Sequence, residues 1–449
     1  MSSPEQRPRS LPTQIAAAGA TTFGILGVNF GTGLVVARFL GPAGRGETAV
    51  VTTFALILGF LAAFGMNEGM TYLTAKRPED GPQIVGTSLA LIVILGTIGV
   101  VVAEILLPAL LSAQDESLLP IARLYVLTIY VAIAASLLLH VLAGAQQFGA
   151  VNTLRFLQPA VYLVALVAFA VAGRLTVGTA LVSSALSIVV GAIFTLLFVM
   201  RFASVGRPSF AIARQAARYG LRAQGLVLGG IANSRLDFLV LPSILPAAAI
   251  GLYSVAVNTT SILILMAGAL GTIVLPVAAS RGGRAGSELV ARMLRLTVLI
   301  GVLIGVPLFV AAPLLLRLVY GPDFVDAAPA LRILVPGAVA AMGSRVVERG
   351  LQAANRPFAA GVGQLVALVV TIVGLLLTLR TYGIEGAAAT TSVAYATAFV
   401  IGLRYLRQDE HFSLSEVCSV GGLRADVARV TNRLSSRRER AAPPTSEAP

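Results

Sequence analysis

RYGLRAQGLVLGGIANSRLDFLVLPSILPAAAIGLYSVAV, residues 218–257, is the stretch whose reading decides the fold. It begins as a glycine-rich apolar helix long enough to cross a bilayer, yet it carries Arg222, Gln224, Asn233, Arg235 and Asp237. A charge at membrane depth is costly unless it faces a wet cavity or a partner. At about 100° per residue, Arg218, Gly229, Asn233 and Asp237 fall within roughly 60° of Arg222, and Arg235 points nearly opposite. The helix runs into Leu241-Pro242-Ser243, and a second one opens at Ala249-Ile250-Gly251. The expectation is a span that begins the second half of a membrane transporter, its polar stripe turned toward the transport path.

Composition agrees. The chain has 449 residues, 57% hydrophobic and 12% charged, with a mean hydropathy of +0.88. A soluble chain carries about 25% charged residues, so a soluble globular protein is excluded. The net charge of +13 rests almost wholly on arginine, with Lys76 the single lysine. In a membrane protein such a balance marks cytoplasmic loops and contact with anionic lipid, rather than nucleic acid. The single cysteine, Cys418, excludes an internal disulfide, and His140 and His411 show no ligand spacing, so no metal or other cofactor is expected.

A bilayer core needs roughly 20 helical residues per crossing. Spans are expected near 13–37, 47–74, 84–111, 119–145, 156–173, 176–200, 216–241, 249–278, 290–317, 327–351, 358–379 and 385–406. The fold class is therefore an all-α polytopic membrane protein of about twelve spans. It divides into a segment 1–12, a six-helix bundle 13–200, a linker 201–215, a second bundle 216–406 and a basic tail 407–449. With an inside N-terminus, the cytoplasmic side receives Arg7, Arg9, Lys76, Arg77, Arg201, Arg207, Arg214, Arg281, Arg284 and the arginines of the tail. The other side receives fewer, including Arg38, Arg45, Arg174 and Arg317. Both termini are expected to be cytoplasmic. The tail reads as an amphipathic segment on the inner surface, then a disordered end.

The two bundles look like repeats. Residues 39–46, FLGPAGRG, match 244–251, ILPAAAIG, so that Gly46 falls on Gly251. Residues 142–148, LAGAQQF, match 351–358, LQAANRPF. An even number of spans per repeat relates the halves by an axis along the membrane normal, with a cavity between them.

ARFLGPAGRGETAV (37–50), RLDFLVLPSILPAAAIGLYSVAV (235–257), LVYGPDFVDAAPALRILVPG (318–337) and LQAANRP (351–357) together resemble the polysaccharide flippases of the multidrug/oligosaccharidyl-lipid/polysaccharide exporter superfamily, and among them the Wzx-type flippases of lipid-linked oligosaccharides. The resemblance covers about residues 30–405. It implies two six-helix bundles around a V-shaped central cavity, alternating access, and a polyprenyl-diphosphate-linked sugar as substrate. The related lipid II flippases usually carry two more C-terminal spans, which this chain lacks, and that points away from lipid II as cargo.

A lipid-linked sugar needs a polar cavity for its head and arginines for its diphosphate. The candidate cavity residues are Arg222, Asn233, Arg235, Asp237 and Arg345, each arginine also lying near enough to a helix end to snorkel. Arg345, Glu348 and Arg349 share one helix face and form either an internal ion pair or a gate. Asn67 and Glu68, near the inner end of the second span, are further gate candidates, with Glu68 also a candidate proton or sodium site. Glu104 and His140 are ambiguous, and Asn29, Asn258 and Gln364 suit helix–helix hydrogen bonds. There is no Walker A pattern and no catalytic dyad, so an enzyme is not expected, and any drive would come from a proton or sodium gradient.

The expected function is a flippase of a bacterial inner membrane that moves a lipid-linked glycan outward for surface polysaccharide assembly. Its partners would be that glycan, membrane lipid, and the polysaccharide polymerase and glycosyltransferases of the same process. The alternative is an ion-coupled small-molecule antiporter, such as a multidrug exporter, and a third class is a non-transporting scaffold. Few deep acids, 6% aromatic residues and no tryptophan count against a carrier of cationic drugs.

Overall fold

The computed structural model describes the backbone of residues 11–408 and 412–413, and the side chains of these apart from 11–18, 20, 222–234, 265–277 and 357. The described chain is built of helices. The first half comprises α1 (Leu11–Ala63), α2 (Met66–Lys76), α3 (Gly81–Leu110), α4 (Leu118–Val126), α5 (Thr128–Gly144), α6 (Phe148–Val171) and α7 (Val177–Phe202). The second comprises α8 (Phe210–Arg235), α9 (Asp237–Val240), α10 (Ala247–Arg281), α11 (Gly283–Val310), α12 (Ala312–Val319), α13 (Ala328–Ala353) and α14 (Pro357–Leu406).

Two of these helices are hairpins. α1 has 53 residues and α14 has 50, far more than one crossing needs. α1 breaks at Gly41 (φ 64°, ψ −173°), where a side chain would be strained and where Pro42 cannot donate back to the preceding turn. α14 breaks at Gly383 (φ 53°, ψ −132°). Among the described residues, nine helical stretches are long and apolar enough to cross a membrane, the two hairpins among them. The protein is multi-pass, and the count of twelve stays an expectation of the sequence. Large apolar side chains such as Ile105 (70% exposed) and Leu377 (72%) face outward along these stretches, as lipid-facing residues do.

The expected span 216–241 begins earlier, since α8 opens at Phe210, and it is interrupted at Leu236, so that Asp237 belongs to a separate turn. Between α7 and α8 only 203–209 is non-helical. It lies on the start of α3, where the Gly206 amide donates to the Pro82 carbonyl at 2.7 Å and the Ser209 amide to Thr87 Oγ1 at 2.9 Å.

The repeat has a backbone signature. Gln146 and Asn355 fall on each other in the alignment of 142–148 with 351–358, and both are left-handed, at φ 59° and 57°. Each is followed by an amide that reaches back five residues: Gln147 to the Leu142 carbonyl at 3.0 Å, and Arg356 to the Leu351 carbonyl at 2.8 Å. α5 and α13 therefore stop by one and the same capped turn. A continuous apolar core joins the halves, running from Phe54 and Met70 through Ile133 to Tyr253, Phe324 and Leu379. A second core, around Val290, Val346, Leu351 and Leu406, belongs to the second half alone.

Candidate functional site

The halves meet where the second arm of α1 crosses the start of α10. A β-carbon on Gly46 would stand within 3.0 Å of the Ala247 carbonyl and 2.9 Å from the Gly251 amide nitrogen. One on Gly251 would press on the Pro42 carbonyl and stand 3.0 Å from the Gly46 nitrogen. Position 42 corresponds to 247 as 46 does to 251, so the seam is reciprocal, as a twofold relation of the halves requires. Only residues without a side chain let the two backbones approach this closely. Polar bonds close the same end: Gln114 Nε2 donates to the Pro242 carbonyl at 2.9 Å and the Leu245 carbonyl at 2.8 Å. Arg38 donates to the carbonyls of Leu318 and Val319. Arg45 Nε donates to Ser254 Oγ at 3.2 Å.

A second seam joins α2 to α8 at the opposite end. Gly69 lies on the Ala216 backbone and Gly220 on the Gly65 carbonyl. Tyr72 and Tyr219 stack with centroids 4.0 Å apart, their planes 8° from parallel. Lys76 Nζ donates to Tyr72 Oη at 2.9 Å.

A polar cavity of about 240 Å³ lies between α8, α10, α13 and α14. Arg235 and Arg345 line it together, with Ser261, Ser344, Gln364 and Tyr395 as neutral polar groups and Val257, Ile264, Ala341 and Ala398 as apolar wall. Arg345 pairs with Glu348 at 3.6 Å and remains 45% exposed toward the cavity. Glu348 accepts from Gln364 Nε2 at 2.6 Å and from Ser344 Oγ at 3.2 Å, so its charge is shared among three donors. Arg235 makes no ion pair of this kind among the described residues and lies within electrostatic reach of both Arg45, which repels it, and the buried Asp237, which attracts it. The cavity is therefore cationic, with donors set to receive an anion.

Asp237 lies two residues beyond Arg235 but is buried, 3% exposed, outside the cavity lining. Its Oδ2 accepts from Tyr253 Oη at 2.6 Å and its Oδ1 from the Phe238 amide at 2.9 Å. Tyr253 Oη also lies 3.2 Å from Thr391 Oγ1, which ties the carboxylate to α10 and α14. Two residues apart on a helical path, the two charges point to opposite sides: Arg235 lines the cavity, while Asp237 is held in the packing of the second half.

The backbone of α8 carries Arg222 and Asn233, and the side chains of both lie outside the described residues. Asn67 is 9% exposed, and its Oδ1 has no hydrogen-bond partner among the described residues. Glu68 is exposed on the same helix. Arg349 is exposed and donates to Gln352 Oε1 at 3.0 Å, away from the Arg345–Glu348 pair. Glu104 pairs with Arg123 at 3.4 Å. His140 Nδ1 lies 2.8 Å from the Ser136 carbonyl of its own helix. No cluster of His, Cys, Asp and Glu able to hold a metal ion occurs among the described residues.

Sequence reasoning left Arg45 among the outward-side topological charges. The structure turns it inward beside Ser254, Tyr162 and Tyr320. Its position after Gly44 and one residue before the seam glycine Gly46 was the available signal. Tyr395, between Arg235, Arg345 and Asp237, had none, because a tyrosine in an apolar span reads as packing.

Comparison with known proteins places these features. The family model described as "Polysaccharide biosynthesis protein" matches residues 18–282. A curated relative, the probable low-salt glycan biosynthesis flippase Agl15 of Haloferax volcanii, is 24% identical over 228 residues, which cover 49% of this chain. The match spans about half the length of that relative, 48%. Among solved structures, the lipid II flippase MurJ in an inward closed conformation superposes with a TM-score of 0.74 at 13% identity, covering 93% of this chain and 92% of its own. A multidrug resistance MATE family transporter of the MOP superfamily, facing inward, gives 0.69 at 17% identity, covering 88% and 97%. These two establish the fold. The resemblance read from the four sequence segments is borne out, and with more than half of its length matched by the family model, the chain belongs to the polysaccharide biosynthesis protein family.

Proposed function

We propose that the protein is an alternating-access flippase that carries a polyprenyl-diphosphate-linked oligosaccharide across a cell membrane, from the cytoplasmic to the outer leaflet. The observation that carries this reading is the cationic cavity in which Arg235 and Arg345 stand together beside Ser344, Gln364 and Tyr395. Two guanidinium groups suit a diphosphate, and neutral amide and hydroxyl groups suit the first sugar. The basic loops support an orientation with the Lys76 end and both termini in the cytoplasm, and an inner-membrane location in a bacterium. A proton or sodium gradient is the proposed drive. Asp237 is the carboxylate assigned to sense it, being buried close to Arg235. The MATE likeness supports the ion-coupled antiporter as the second reading, but the described lining of the cavity contains no carboxylate to receive a cationic drug.

The test is a flipping assay in proteoliposomes with a polyprenyl-diphosphate oligosaccharide, comparing wild type with Arg235→Gln, Arg345→Gln and Arg222→Gln. Loss of flipping in the first two, with normal folding, supports the site. Flipping by all variants keeps the function and discards the site. Ion-driven efflux of small cations without any flipping selects the antiporter.

A further inference from the structure

A second recess shares α13 and α14 with the cavity but lies on their other faces. It is an open furrow of about 430 Å³ lined by Phe309 of α11, Arg332, Ile333 and Pro336 of α13, and Ala389 and Val393 of α14. Its existence follows from the backbone. α13 and α14 touch closely at Gly337, where a β-carbon would collide with Ser392. Pro336 has no amide to continue the helical ladder, and Ser392 Oγ donates to the neighbouring Ile333 carbonyl at 2.6 Å. Toward the start of α13 the small side chains of Pro336 and Ala389 leave the space between the helices unfilled.

Arg332 stands at one edge of this furrow. Its Nε donates to the Phe309 carbonyl at 3.1 Å, and its guanidinium lies 5.9 Å from the Phe309 ring centroid. Its two Nη nitrogens make no hydrogen bond, and it has no ion pair, among the described residues. It is one turn into a helix that enters the apolar layer. A cation there, next to an apolar trough and without a protein counter-ion, is stabilised by a lipid phosphate. We propose that this furrow binds an anionic glycerophospholipid of the surrounding bilayer, its phosphate on Arg332 and an acyl chain along Pro336, Ala389 and Val393. A resident lipid is favoured over the cargo because the furrow shares no lining residue with the cavity and lies on the faces of α13 and α14 turned away from it. The furrow faces of α13 and α14 are turned by roughly 130° to 145° from their cavity faces. The lipid would thus brace from outside the helix pair that presents Arg345 and Tyr395 inside.

Native mass spectrometry of the full-length protein, titrated with phosphatidylglycerol or phosphatidylcholine, tests the site. Wild type should retain phosphatidylglycerol about fivefold better, the worth of one cationic contact to an anionic headgroup. Arg332→Gln should abolish the preference, Arg332→Lys should keep most of it, and Arg317→Gln, at another exposed arginine, should leave it intact. A photoreactive phosphatidylglycerol should label 332–336 and 389–393 in wild type, which decides the matter without any variant. Equal retention of the two lipids, an undiminished preference in Arg332→Gln, or labelling elsewhere overturns the proposal. Displacement of phosphatidylglycerol by a lower concentration of polyprenyl phosphate would assign the furrow to cargo and overturn it as well.

Discussion

Gly46→Ala is a one-methyl perturbation with a calculable result. The new β-carbon would lie within 3.0 Å of the Ala247 carbonyl, a separation that real β-carbons essentially never show, and the obstructing atom is backbone. The second arm of α1 and the start of α10 must therefore separate by roughly 1 Å, since no side-chain rotation relieves the clash. Overpacking of this kind costs about 1–3 kcal/mol. The same retreat stretches the Arg45–Ser254 bond, now 3.2 Å, and a charged donor there adds about 1.5–3 kcal/mol when lost. Because the two terms share one displacement, about 2–4 kcal/mol is the working range, which shifts the equilibrium toward an open seam by roughly 30- to 1000-fold. Gly251→Ala must do the same, because its β-carbon meets the Pro42 carbonyl in the mirror-image contact. The assay is a pair of spin labels on the exposed positions Ala43 and Ala248, in a Cys418→Ser background. Wild type should give one short distance, and either variant should populate a longer one. A glycine-to-alanine change that leaves the distance distribution unaltered would refute the close packing. A large effect at one glycine and none at the other would refute the twofold relation.

Three further outcomes follow from other contacts. Tyr253→Phe removes the hydroxyl that donates to Asp237 at 2.6 Å. It should lower thermal stability by about 1–3 kcal/mol, and Asp237→Asn in the same background should recover part of the loss, both read by thermal shift. Glu348→Gln keeps an acceptor for Gln364 and Ser344 but leaves Arg345 unneutralised. It should tighten pyrophosphate binding about two- to fivefold by calorimetry, whereas Arg345→Gln should weaken it. Gln146→Gly relieves a left-handed residue at φ 59° and should stabilise by about 0.5–1 kcal/mol, while Asn355→Gly should change little because asparagine tolerates that region. Equal thermal shifts at the two sites would count against that reasoning.

Much of the architecture could be read directly from the chain, because lipid imposes a coarse rule. Every backbone polar group at depth must be paired, so long apolar runs become helices. The breaks were written in Gly41-Pro42 and in the glycines near 383, and the repeat in Gly46 and Gly251. The site was legible only in part. Arg235 and Arg345 were visible as charges in apolar spans, but their convergence depends on how α8, α10, α13 and α14 cross, which no local pattern encodes. The stripe argument put Arg235 and Asp237 on opposite faces and turned the Asp237 face toward the transport path, whereas Arg235 is the one that lines the cavity. Which of the two faces borders the cavity is set by how α8 meets α10, α13 and α14, and nothing in Ser-Arg-Leu-Asp marks it. Arg45 was overlooked for a similar reason. Charge counting assigns a residue to a side of the membrane by its loop, whereas a guanidinium on a long stem can turn back into the bundle.

The seam and the cavity differ in one respect that bears on mechanism. The crossing at Gly46 and Gly251 is symmetric, each glycine meeting the backbone four residues before its counterpart. The polar cavity is not symmetric: all of its described lining comes from the second half. If the repeat arose to let two similar bundles rock about a shared crossing, symmetry would be retained where the bundles touch and lost where one of them acquired binding groups. Movement and binding would then reside in separate residues. Substitutions at Gly46 and Gly251 should change which state is populated while each state keeps its affinity for a diphosphate. Substitutions at Arg235 and Arg345 should change that affinity while leaving the spin-label distances of the unloaded protein in place. Measuring both quantities on both pairs of variants separates the two. Affinity changes at the glycines beyond those produced by the shift in population would mean that the seam itself is part of the binding site, and the division argued from the asymmetry of the cavity would fall.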